Sequence, residues 1–179
     1  MKRRLEFNNT KPQKGINEFF SSTTQKKNRQ EETIKTPEVD EALRLIFGHE
    51  SFRPGQREVI ERTLRKEDVF VIMGTGSGKS LCYQLPAIMS KGVTLVISPL
   101  LSLIEDQVSS LLQLKGCGGI PAAFVNSSTT PKLRKQIMAD LSHDEPNLKL
   151  VYTTPECLSH VHDFNRVLEQ LHANGLMAR

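Results

Sequence analysis

The stretch Val69-Phe70-Val71-Ile72-Met73-Gly74-Thr75-Gly76-Ser77-Gly78-Lys79-Ser80 decides the fold. Its first five residues are apolar and mostly β-branched, and read as a strand buried on both faces. Glycines then alternate at positions 74, 76 and 78, and the run Lys79–Met89 reads as a helix. A loop that wraps a phosphate needs backbone N–H groups pointing inward. Gly74, Gly76 and Gly78 permit the dihedrals and the close approach, and Thr75 and Ser77 complete the loop. The helix N-terminus adds its partial positive charge. Lys79 is spaced to reach the β- and γ-phosphates and Ser80 to offer its hydroxyl to Mg²⁺. The strict pattern has Gly at the position of Met73. The other reading, a glycine-rich turn that happens to contain Lys-Ser, is disfavoured by the strand before it and the helix after it.

Outward from this loop the same alternation repeats. Thr94–Ser98, Ala122–Asn126 and Leu148–Thr153 read as further strands, making four with Val69–Met73. Leu100–Leu114, Pro131–Leu141 and Phe164–Ala173 read as helices between and after them. Strand and helix alternating at this interval imply an α/β fold with a parallel sheet built from βαβ units. Upstream, Thr36-Pro37 opens a helix with Glu38, Asp40 and Glu41 in its first turn. Val39, Ala42, Leu43, Ile46 and Phe47 line one face of it, and Gly48 closes it. A second short helix spans about Gly55–Lys66, with Val59, Ile60, Thr63 and Leu64 inward.

The chain has 179 residues, 37% hydrophobic and 25% charged, enough for one core plus an accessory segment. No apolar run approaches the roughly 20 residues that span a bilayer, and the N-terminus has no signal-peptide pattern. The three cysteines, Cys82, Cys117 and Cys157, are far apart and form no CxxC pair. Neither a disulfide framework nor a zinc site is implied, and a reduced compartment is expected. His160 and His162 read as surface residues rather than metal ligands. The net charge is +4, and residues 1–36 carry 9 basic against 4 acidic residues, so the basic character belongs to the tail. Residues 1–36 show no helical or strand period and are expected to be a disordered basic arm, with 37–179 forming the folded part.

Four segments in order carry a resemblance: FGHESFRPGQ (Phe47–Gln56), MGTGSGKSLCYQLPA (Met73–Ala87), VISPLLSLIEDQV (Val96–Val108) and VYTTPE (Val151–Glu156). Over about residues 40–160 the chain resembles the RecQ family of superfamily 2 DNA helicases. The resemblance implies a RecA-like P-loop NTPase domain using ATP and Mg²⁺, and 3′→5′ unwinding of DNA at single-strand/duplex junctions in repair and recombination. It also implies roles. Gln56 reads the adenine edge, Arg53 stacks on the ring, and His49 stands where the family has an aromatic stacker. Gly74 replaces a Pro common in the family. Ser98, Pro99, Leu100 and Ser102 would meet a single-strand backbone, as would Thr153, Thr154 and Glu156. Taken alone, Ser98-Pro99 and Thr154-Pro155 read as ordinary helix starts. An RNA helicase of superfamily 2 is the more distant alternative, against which FRPGQ and SLCYQLPA speak.

Hydrolysis needs a carboxylate on a second strand to hold Mg²⁺ and a Glu to orient water. In RecQ-like helicases these lie in a DEAH-type box ending an apolar strand. No apolar run followed by Asp-Glu occurs here: Glu105-Asp106 lies in a helix and Asp144-Glu145 follows Ser142-His143. The chain is therefore expected to be the N-terminal part of one motor domain and to lack turnover by itself. The alternative is a truncated product that binds a clamp, nucleotide or DNA without turnover.

In the tail, Gln13-Lys14-Gly15-Ile16-Asn17-Glu18-Phe19-Phe20 fits Q-x-x-Φ-x-x-F-F and looks like a PIP box, the peptide that docks on the PCNA sliding clamp. One 3₁₀ turn brings Ile16, Phe19 and Phe20 to one side, with Gln13 free for a polar pocket. The competing reading folds Phe19-Phe20 back on the domain. Lys2-Arg3-Arg4 with Lys26-Lys27-Asn28-Arg29 fits a two-part nuclear import signal, although solvated arms often carry such clusters.

Overall fold

Three short parallel strands, Thr94–Ile97 (β1), Ala122–Val125 (β2) and Leu150–Thr153 (β3), form one sheet in the order β1-β3-β2. The structure is a computed structural model and describes residues 36–114 and 117–179. β3 is buried along its whole length, which is why a continuous Leu-Val-Tyr-Thr run occupies the centre. Its register pairs Leu150 with Thr94 and Ala122, and Thr153 with Ile97 and Val125. The carboxyl ends of all three strands are therefore level. The α/β class and the parallel sheet are as the sequence implied.

Helices cover both faces. In chain order they are Thr36–Ala42 (α1), continued by a wider π-helical turn at Leu43–Phe47, then Gln56–Leu64 (α2), Leu81–Met89 (α3), Leu101–Leu112 (α4), Pro131–Leu141 (α5), Pro155–His160 (α6) and His162–Ala173 (α7). On one face Val125, Val151, Ile137, Leu141, Phe164, Leu168 and Leu171 form the core under α5 and α7. Phe164, Leu168 and Leu171 are spaced i, i+4, i+7, so one stripe of α7 supplies them. α3 lies over the other face with Leu85 and Ile88 buried. Val39, Ala42, Leu43 and Ile46 are buried as the helical spacing required, and Gly48 closes that segment at φ +69°.

One expected strand is corrected. Val69–Met73 forms no regular element and pairs with no strand among the described residues, and Phe70 and Ile72 are 90% and 84% exposed. Apolar β-branched residues supply propensity, whereas a strand needs a partner backbone. The free edge of β1 is taken instead by residues 176–179. Val93 N–H donates to Leu176 O (2.8 Å), Ala178 N–H to Val93 O (2.8 Å) and Leu95 N–H to Arg179 O (2.9 Å). Arg179 Nη2 in turn donates to Thr63 O and Glu67 O, each at 3.0 Å. Arg179 thus ties β1 to the turn that leads into Val69. Smaller differences are ends: α3 begins at Leu81 rather than Lys79, α4 runs Leu101–Leu112, and Ser98, Asn126 and Leu148 fall outside their strands. The short α6 begins at the helix start that Thr154-Pro155 marks in the sequence and ends at His160, before α7. Gln13, Ile16, Phe19, Phe20 and the basic clusters of the tail lie outside the described residues.

Candidate functional site

The glycine-rich loop adopts the backbone its sequence demands. Gly76 and Gly78 have φ of +77° and +84°, in the left-handed region that side chains disfavour. Gly78 is doubly constrained, because a Cβ there would collide with Gln56 Nε2. Ser77 N–H and Oγ both bond Gly74 O, at 3.3 and 2.7 Å, which closes the loop on itself. Among the described hydrogen bonds none uses the N–H groups of Gly76, Gly78, Lys79 or Ser80. Four donors thus stand ahead of the first turn of α3, where the helix dipole favours an anion. Lys79 Nζ is exposed and folds back onto Met73 O (3.0 Å) and Gly74 O (2.8 Å). Free N–H donors and an ammonium at a helix start are the donor set a polyphosphate takes, and Ser80, at the N-cap, makes no side-chain capping hydrogen bond.

The FRPGQ segment is built into this loop. Gln56, 3% exposed at the start of α2, donates from Nε2 to Gly78 O (3.0 Å) and more weakly to Ser77 O (3.4 Å), while its Oε1 accepts from Arg53 N–H (2.8 Å). The Arg53 guanidinium donates to Gly76 O. Gln56 and Arg53 thus hold the carbonyls of Gly76, Ser77 and Gly78. His49 is exposed, and among the described residues no hydrogen bond joins its ring to the loop. This arrangement makes Gln56→Glu informative. A carboxylate facing two carbonyls should weaken ATP and GTP binding alike by about tenfold, about 1.4 kcal/mol. Loss confined to ATP in parallel titrations would show base reading instead.

The level ends of the strands make a second surface. Ser98, Asn126 and Thr154 follow β1, β2 and β3 directly, at the carboxyl edge where ligands of open α/β sheets bind. Ser98 Oγ accepts from Leu100 N–H (3.4 Å), and Pro99, Leu100 and Ser102 are exposed. Thr154 Oγ1 caps α6 by accepting from Cys157 N–H (3.2 Å). Thr153 is fully buried, its hydroxyl donating to Val125 O (2.8 Å), so it braces β3 against β2 and offers nothing to solvent. Glu156 is exposed, and its carboxyl is held below the usual range by its own backbone N–H and by Thr154. The residue that sequence reasoning missed is Asn126. It is buried, and its Oδ1 accepts from Ser128 N–H (2.9 Å), Ser128 Oγ (2.8 Å) and Thr129 Oγ1 (3.2 Å), shaping the exposed Ser127-Ser128 turn beside Ser98 and Thr154. The signal was there: small polar residues crowd the end of an apolar strand. Among the described residues no His/Cys/Asp/Glu cluster could hold a metal, and no helix is long and apolar enough to cross a membrane.

The family model of the DEAD/DEAH box helicases matches residues 53–174. The chain is 46% identical over 136 residues to the ATP-dependent DNA helicase Q-like 4B of Arabidopsis thaliana, which covers 76% of this chain and 12% of that protein. It is 47% identical over 123 residues to the ATP-dependent DNA helicase RecQ of Haemophilus influenzae, covering 69% of this chain and 19% of that one. Among solved structures, the DUF1998 helicase MrfA bound to DNA and AMPPNP superposes with a TM-score of 0.58 at 21% identity, over 90% of this chain and 25% of MrfA. That likeness concerns the fold. The chain spans less than a fifth of the length of these two curated relatives.

Proposed function

The chain belongs to the DEAD/DEAH box helicase family, and from that premise we propose that it is the nucleotide-binding part of a RecQ-type, ATP-dependent DNA helicase. One observation carries the reading: the loop Gly74–Ser80, held by Arg53 and Gln56, presents its N–H groups and Lys79 at the start of α3. ATP with Mg²⁺ supplies the phosphoanhydride whose cleavage drives such motors. Gly76, Gly78, Lys79 and Ser80 bind and orient the phosphates, and Ser80 also holds the metal. Arg53 and Gln56 brace the loop carbonyls, and His49 is the residue assigned to the adenine end. Ser98, Pro99, Leu100, Ser102, Thr154 and Glu156 form the strand-end track for a DNA backbone, with Thr153 beneath it and the Asn126–Ser128 turn beside it. Work on single-strand/duplex junctions in the 3′→5′ direction, in a nucleus, is the whole-protein activity this part would serve.

The DNA half is tested by anisotropy titration of a labelled single-stranded oligodeoxynucleotide. Binding should be saturable and weaken steeply as salt rises. Ser102→Glu should weaken it by about fivefold or more through like charge, about 1 kcal/mol. Because an acid in the first turn of α4 favours the helix dipole, the variant keeps its fold. Unchanged affinity in Ser102→Glu would remove this surface from the DNA track. The 179 residues hold no apolar strand ending in Asp-Glu, so nucleotide is expected to bind without turnover; DNA-stimulated hydrolysis lost in Lys79→Ala would contradict that.

A clamp contact is proposed from the tail on its spacing alone. Gln13, Ile16, Phe19 and Phe20 would dock on a PCNA-type sliding clamp. Replacing Phe19 and Phe20 by Ala should abolish clamp binding in a pull-down and leave nucleotide binding intact.

A further inference from the structure

The carboxyl end of the sheet and the phosphate loop are joined by a polar cluster that neither site uses, with Gln84 and Tyr152 buried and Tyr83 and Gln107 half-buried. Gln84 lies on α3 one turn after Ser80, its backbone N–H donating to Ser80 O (3.0 Å), and is 8% exposed. Its Nε2 donates to Gln107 Oε1 on α4 (2.8 Å) and, more weakly, to Tyr152 Oη on β3 (3.4 Å). The Tyr83 hydroxyl reaches the same Gln107 Oε1 at 3.4 Å, and the rings of Tyr83 and Tyr152 meet edge-on at 6.4 Å. Tyr152 is 1% exposed, and burial pushes its hydroxyl far above the usual phenol range, so it stays protonated throughout the physiological range. Leu or Met at these positions would pack the same space without the cost of desolvating two amides and a hydroxyl. Each of the three elements leads directly into the site. α3 begins at Leu81, directly after Lys79-Ser80, α4 begins at Leu101, directly after Ser98–Leu100, and Tyr152 stands two residues before Thr154.

We propose that Gln84, Gln107 and Tyr152 are positioning residues that tie the phosphate loop to the DNA-facing strand ends, so that nucleotide and single-stranded DNA bind cooperatively. This rests on the nucleotide and DNA reading above. The element that both ligands bias is α3. Its first turn closes on the phosphates, and its second turn is pinned by Gln84 to α4 and β3. Gln107 carries the link as an acceptor, since its Oε1 receives both Gln84 and Tyr83.

The test measures affinity for a non-hydrolysable ATP analogue with Mg²⁺, with and without saturating oligo-dT, on the full 179-residue chain. DNA should tighten nucleotide binding by about fivefold or more, and nucleotide should tighten DNA binding by the same factor. Gln107→Met keeps the volume and removes the acceptor. Its separate affinities should stay within about twofold of the parent while the coupling factor falls to about one. Gln107→Glu restores an acceptor oxygen and should restore the coupling. If Gln107→Met lowers the thermal midpoint or the helical circular dichroism, Tyr152→Phe, which deletes one hydroxyl, takes its place with the same expected loss. Full coupling in the substituted protein, or no coupling in a parent that binds both ligands, overturns the proposal. A parent that binds neither ligand alone overturns the underlying reading and the relay with it, and the separate titrations tell the two failures apart.

Discussion

Lys79→Ala is expected to weaken nucleotide binding by about 100-fold, near 3 kcal/mol, while leaving the thermal midpoint unchanged. Both halves of that expectation follow from where the side chain lies. Lys79 Nζ is exposed and bonded only to Met73 O and Gly74 O among the described hydrogen bonds, so its removal leaves no buried group unpaired. Surface changes of that kind alter stability by no more than about 0.5 kcal/mol. The binding loss is large because the ammonium makes charge-assisted bonds to phosphate that the loop N–H groups cannot replace. Isothermal titration together with a melting curve checks both. A small binding loss would mean that the loop N–H groups do the binding alone, and a large drop in the melting temperature would mean that the lysine holds the loop together.

Phe164→Ala should be the most destabilising single change in the sheet's α5/α7 core, costing about 3–5 kcal/mol. The ring is fully buried and packs among Val151, Ile137, Leu168 and Leu171, beneath the central strand. Met138, Leu158 and Met177 pack against the same cluster, so the cost combines the lost transfer energy with the cavity that they leave unfilled. Against a typical domain stability of about 5–15 kcal/mol this leaves a small margin. Urea unfolding should show a lower midpoint with an unchanged slope. Nucleotide affinity of the folded fraction should stay within about twofold, because Phe164 packs on the face opposite α3. A loss below about 1 kcal/mol would show that the α7 stripe is not a core contact.

What could be read in the sequence depended on whether the determinants were local. The phosphate loop was legible because glycine spacing, Lys79-Ser80 and the following helix are contiguous, and positive φ at Gly76 and Gly78 leaves little choice of residue. The three strands of the sheet were legible as apolar runs between helices. Val69–Met73 reads the same way and is not a strand, because propensity is local whereas pairing depends on which backbone comes alongside. Here Leu176–Arg179, more than 100 positions later, takes that edge of β1. Gln56 was legible as a site residue by resemblance. Its hydrogen bonds to Ser77 and Gly78 carbonyls across 21 and 22 positions were not, since no local pattern encodes a contact between a helix start and a later loop. Thr153 illustrates the reverse case. The motif suggested a DNA contact, and the sheet uses its hydroxyl internally. Gln84, Gln107 and Asn126 carried a weaker signal, amides placed on otherwise apolar faces, whose meaning appears only when three elements are brought together.

The proposed function stands or falls with Gly74–Ser80 as a polyphosphate cradle in this chain. Its most direct measurement is a fluorescence titration of the purified 179-residue protein with a labelled adenine nucleotide, with and without Mg²⁺, followed by displacement with unlabelled ATP and with adenosine. Saturable binding that strengthens with Mg²⁺, full displacement by ATP and little displacement by adenosine are expected, because the phosphates would supply most of the contacts. Displacement by adenosine as effective as by ATP, or no saturable binding at millimolar nucleotide, would contradict it.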